Sequence, residues 1–112
     1  MSYLNSLIHD LKRARDELRR IMPTLTIIQR IRPLPKKVES LLLESLEKIG
    51  ELEKIHSDDF QVLAVLSDIE EVIMRALRST SMPEQLESLN TIIALMSKLN
   101  GMIKASPKGE EL

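Results

Sequence analysis

Residues 4–28 read LNSLIHDLKRARDELRRIMPTLTII, and their spacing decides the fold class. Leu4, Leu11, Leu18 and Leu25 recur every seven residues, and Leu7, Ala14, Ile21 and Ile28 repeat that interval three residues later. An a/d heptad held for four repeats is the pattern of a helix with a packed apolar seam. Pro23 falls at the f position, opposite the seam, where a lost backbone hydrogen bond can face water and the helix can bend around its partner. The first helix is therefore expected either to stop near Met22, spanning about 3–22, or to run on, kinked at Pro23, to residue 31.

The helical rhythm resumes three times downstream. RPLP at 32–35 ends whatever precedes it, because residues before proline avoid the α region. Val38, Leu41/Leu42, Leu46, Ile49 and Leu52 then trace a second helix over 36–55, with Gly50 a weak point. Ser57 is the expected cap of a third helix over 58–79, Asp58 and Asp59 suiting its positive end. Ser81 and Glu84 have the spacing of a capping box, with Pro83 in the first turn of a fourth helix over 82–104. Short connections between four helices favour antiparallel neighbours. The expected fold is all-α, an antiparallel up-down-up-down four-helix bundle forming one domain over residues 1–105, with 106–112 a flexible tail.

Composition agrees with that class. The chain has 112 residues, three glycines, no cysteine and only Tyr3 and Phe60 as aromatics, which suits helices and not sheets. At 12.8 kDa it should bury roughly two thirds of its extended surface, enough for a core without staples. Without cysteine there is no thiolate chemistry and no Cys-based metal site. No apolar run resembles a signal peptide or a membrane span, so a cytoplasmic protein with no membrane partner is expected.

The net charge of −1 conceals an asymmetry. Residues 1–37 hold nine Lys/Arg against three Asp/Glu, giving +6, and residues 38–112 hold seven against fourteen, giving −7. A two-signed chain can pair with itself as readily as with a foreign polyanion.

Catalytic chemistry finds little support. His9 and His56 lie in different segments, and neither has a second ligand at helical spacing. The run His56-Ser57-Asp58-Asp59 contains the residue types of a triad, but consecutive residues cannot converge as a triad must. Glu70-Glu71 lacks the Glu-x-x-His spacing of di-metal bundles, and nothing glycine-rich is available to cradle a phosphate. No catalytic residue, metal, cofactor or small-molecule substrate is expected.

Two surfaces remain. Leu41-Leu42-Leu43, Val62 to Leu66, and Ile92-Ile93 with Leu95-Met96 are wider than one buried stripe needs, so either one helix is central or apolar surface meets another chain. On this ground the chain is expected to be a non-enzymatic helical protein–protein interaction module. It would act as a homodimer or as a small accessory subunit of a larger assembly, making contact through Leu4, Leu7, Leu11, Leu18, Ile21, Leu41, Leu42 and Leu43. The alternative is a nucleic-acid-associated accessory protein. Lys12, Arg13, Arg19 and Arg20 share one helical stripe, and Arg30, Arg32, Lys36 and Lys37 extend it through RIRPLPKK, a set suited to neutralising phosphates. Against that stand a pI of about 6.1 and the lack of aromatics for base stacking.

Overall fold

In a computed structural model, which describes residues 3–105, the chain folds into four α-helices joined by three connections. The helices are α1 (Tyr3–Ile21), α2 (Lys36–Ile55), α3 (Phe60–Arg78) and α4 (Met82–Ala105). Each packs on its sequence neighbours, and α4 closes the ring against α1. The α3–α4 and α1–α4 seams are the most extensive and α1–α2 the thinnest. The side-chain pairs fit an up-down-up-down order. Asn5 near the start of α1 meets Asn100 late in α4, while Arg15 and Arg19 both reach Asn90 near its start (3.3 Å each). The expected tail, 106–112, lies outside the described residues.

The heptad seam is real but shorter than its sequence pattern. Leu4, Leu7, Leu11, Ala14 and Leu18 are buried, whereas Ile21 is 41% exposed and Ile28 80% exposed. The kinked continuation to residue 31 does not form. Pro23 cannot donate a backbone hydrogen bond and disfavours the α conformation at Met22. The chain tightens into a 3₁₀ turn at Met22–Thr24, and Leu25 then turns extended at φ −103°, ψ 146°. The Thr24 hydroxyl donates to the Ile21 carbonyl (2.6 Å), occupying an acceptor that a continuing helix would have used.

Two helix starts also differ from expectation. Asp59, not Ser57, caps α3, its carboxylate accepting from the N–H groups of Gln61 (3.1 Å) and Val62 (3.2 Å). His56 to Asp58 form the preceding turn instead. At α4 the Glu84 carboxylate accepts from the Ser79 hydroxyl (3.3 Å), which itself accepts the Ser81 N–H (3.1 Å). The capping partner of Glu84 is therefore displaced two residues upstream of Ser81, because the 79–81 segment runs extended into the helix rather than turning at Ser81.

The excess apolar width is resolved mostly inside the chain. Helix α4 is sandwiched between α1 and α3, so Leu86, Leu89, Ile92, Ile93, Met96 and Leu99 are all buried although they span more than one narrow stripe. In α2 the same question splits residue by residue: Leu42 is fully buried, Leu41 half-buried and Leu43 51% exposed.

The thin α1–α2 seam is fastened by polar contacts, whereas the α2–α3 seam brings two carboxylates together. Between α1 and α2 the Tyr3 hydroxyl donates to Glu44, and the Lys48 ammonium stands 4.7 Å from the Tyr3 ring centroid. The hydrogen bond to that carboxylate holds the phenol up to about 12. Between α2 and α3, desolvation and the nearby Glu70 push the Glu53 carboxyl above its ordinary value. The folded chain thus favours protonated Glu53. The associated stability is present below the ordinary carboxylate pKa and is lost as pH rises through the raised one. Glu53→Gln, which mimics the protonated form, is expected to stabilise the protein at neutral pH and to make no difference in acid. Urea midpoints measured across that range check both limbs.

Candidate interaction surfaces

The connection between α1 and α2, residues 22–35, is long for a bundle of this size and is built as an ordered piece. Thr26 and Gln29 bond reciprocally: the Thr26 N–H donates to Gln29 Oε1 (2.9 Å) and the Gln29 N–H to Thr26 Oγ1 (3.2 Å). This is capping-box chemistry, here opening the 3₁₀ turn Ile28–Arg30. Arg30 Nε donates back to the Met22 carbonyl (3.1 Å), and Arg32 Nε to that of Gln29 (2.7 Å).

The loop is then fastened to the α3–α4 connection. Ile31 and Ser81 form an isolated antiparallel bridge, and the Arg32 N–H donates to the Thr80 carbonyl (2.7 Å). Beneath them lies the Gln85 side chain, fully buried. Its Nε2 donates to the carbonyls of Arg32 (2.7 Å) and Ser79 (2.9 Å), one from each connection. Leu34 is buried just beyond. Between these fixed points Ile27, Ile28 and Ile31 face solvent, 79%, 80% and 65% exposed. Their exposure comes from a loop whose backbone is tied down.

A second apolar surface runs along the α2–α3 seam. Leu43, Leu46, Gly50 and Glu53 follow one another at helical spacing, and Glu53 lies within electrostatic reach of Glu70, so this side of α2 faces α3. On α3 the residues aligned with Glu70 are Leu63, Met74 and Leu77. Leu46, Leu63 and Leu77 are half-buried, while Leu43 and Met74 are 51% and 42% exposed. A Cβ added at Gly50 would meet nothing within 4 Å, so the backbone of α2 is open to close approach at mid-helix.

The residues expected to make contact separate clearly. Leu4, Leu7, Leu11, Leu18 and Leu42 are buried in the chain's own core; Ile21, Leu41 and Leu43 retain surface. Among the cations, Lys12, Arg13, Arg19, Arg20, Lys36 and Lys37 are exposed, with Arg19 bonded to Asn90. Arg30 and Arg32 are half-buried and serve the loop carbonyls. The basic character running past Pro23 therefore has a structural use at two of its four later positions.

No protein-family model, curated protein or solved structure matches this chain.

Among the described residues no three histidine or acidic side chains are placed to hold a metal ion, and no helix is long and apolar enough to cross a membrane. His56 is 1% exposed, and neither ring nitrogen meets a hydrogen-bond partner. It packs as a core side chain at the C-terminal cap of α2.

Two structural features escaped the sequence reading although each left a sign. Gln85 stands three residues after Met82 and four before Leu89, a polar side chain on an apolar stripe. Thr26-Ile27-Ile28-Gln29 has the spacing of a capping box. Replacing Gln85 by leucine leaves the part-buried carbonyls of Arg32 and Ser79 without this donor. It is expected to destabilise the protein by about 2 kcal/mol in urea unfolding and to speed amide exchange at Arg32.

Proposed function

We propose that this chain is a non-enzymatic helical protein-interaction module, acting as a homodimer or as a small accessory subunit of a larger assembly. The observation that supports it is the α2–α3 flank, where Leu43 and Met74 stay exposed beside half-buried Leu46, Leu63 and Leu77 with open backbone at Gly50. Apolar side chains lined up along a helix pair, with room for close approach, suit an added helix packing ridge into groove. The charged residues beside Met74, namely Glu70, Glu71 and Arg78, would set orientation more than affinity.

A second reading, contact with nucleic acid, has one observation in its favour. Lys12, Arg13, Arg20, Lys36 and Lys37 are all exposed and free to approach phosphates in the salt-dependent manner of polyanion binding.

Light scattering at low micromolar concentration is expected to give about twice the 12.8 kDa chain mass. Leu43→Glu combined with Met74→Glu should return it to the single-chain value. A wild-type mass that stays at the single-chain value on concentration removes the homodimer. For the second reading, a mobility shift at low salt should disappear when Lys12, Arg13 and Arg20 are changed to Glu; no shift at low salt discards it.

A further inference from the structure

Among the described residues no helix is long and apolar enough to cross a bilayer, and the sequence pattern gives no other reason to expect a lipid contact. The fixed loop supplies one. Three branched aliphatic side chains, Ile27, Ile28 and Ile31, are presented to water on a backbone fastened by Gln85, Thr80 and Ser81. Along the chain their flanks are cationic: residues 18–38 contain Arg19, Arg20, Arg30, Arg32, Lys36 and Lys37 and no Asp or Glu, the nearest carboxylates at this end being Glu39 and Glu84 in the first turns of α2 and α4.

We propose that this loop is a docking tip for an anionic lipid surface, the isoleucines entering the interfacial layer while the flanking cations meet lipid headgroups. This contact is separate from the α2–α3 flank and does not depend on a protein partner there.

Three observations favour a lipid surface over other occupants. Apolar side chains ringed by Lys and Arg are what an anionic bilayer rewards, through inserted area and surface potential together. The tip lies at one end of the bundle, where α1 ends, α2 begins and the α3–α4 connection is bonded alongside. A second copy meeting this one loop to loop would set the exposed Arg20, Lys36 and Lys37 of each copy against the other's, and like charges facing each other disfavour that pairing.

The test uses the full chain and vesicle flotation, with vesicles of phosphatidylcholine alone or mixed with phosphatidylglycerol. Binding to the mixed vesicles is expected to exceed that to phosphatidylcholine by about tenfold or more and to weaken with salt. Ile27→Asn, Ile28→Asn and Ile31→Asn together should cut it at least about tenfold, and Lys36→Glu with Lys37→Glu by a similar factor. All five side chains are exposed, so unchanged thermal melts would show that the variants fold. No binding to either vesicle overturns the proposal. So does equal binding to both, or an isoleucine variant that binds as well as wild type, which would reduce the contact to charge adsorption. Should the isoleucine variant instead lower the solution mass while vesicles capture nothing, the tip is a protein contact and the lipid assignment is wrong.

Discussion

One buried carboxamide holds the two connections at one end of this bundle together. Gln85 donates its two N–H bonds to carbonyls that are 47 residues apart in the chain, Arg32 and Ser79. Neither carbonyl belongs to a helix, so each would otherwise need water in a region the core has excluded. Satisfying both from a single side chain on α4 locks the long α1–α2 loop to the α3–α4 connection. The Ile31–Ser81 bridge and the Arg32–Thr80 bond then follow at small entropic cost, because the strands already lie side by side. The exposure of Ile27 and Ile28 depends on the same lock: an untethered loop of this composition would collapse onto the nearest apolar surface.

The remaining stability comes from the position of α4. Because it is flanked by both α1 and α3, its apolar residues are buried over a broad arc. The chain thereby hides most of the width that its sequence displays. Besides the separately exposed Tyr3, Ile21 and Phe60, two groups stay uncovered, the α2–α3 flank and the loop tip. They differ in character. The flank is a line of partly buried leucines with carboxylates nearby, while the tip is a cluster of isoleucines among cations.

Charge is used locally before it is available globally. Arg30 and Arg32 bond loop carbonyls, Arg15 and Arg19 reach Asn90, and Lys48 sits over the Tyr3 ring. The +6 of the first third therefore overstates the positive charge at the surface ready for a ligand. Lys12, Arg13, Arg20, Lys36 and Lys37 carry what remains. Counting charges along the sequence cannot make this distinction, since it rests on which carbonyls and amides lie within reach after folding.

The sequence by itself determined the four helices, and placed α2 at its observed limits, because periodicity, proline and acidic caps act over a few neighbouring residues. It left open whether Pro23 bends or ends the first helix; the 3₁₀ turn at Met22–Thr24 ends it, Leu25 packing on the core from extended backbone while Ile28 stays exposed. It also named Leu42 and Leu43 as equals, although one is fully buried and the other half exposed. Burial is decided by which helices stand alongside, and the ring of α1 to α4 settles it. The tertiary structure alone decided that Gln85 joins two distant connections and that Ile27, Ile28 and Ile31 face water. Both depend on backbone groups brought together from far apart in the chain, where no local pattern reaches.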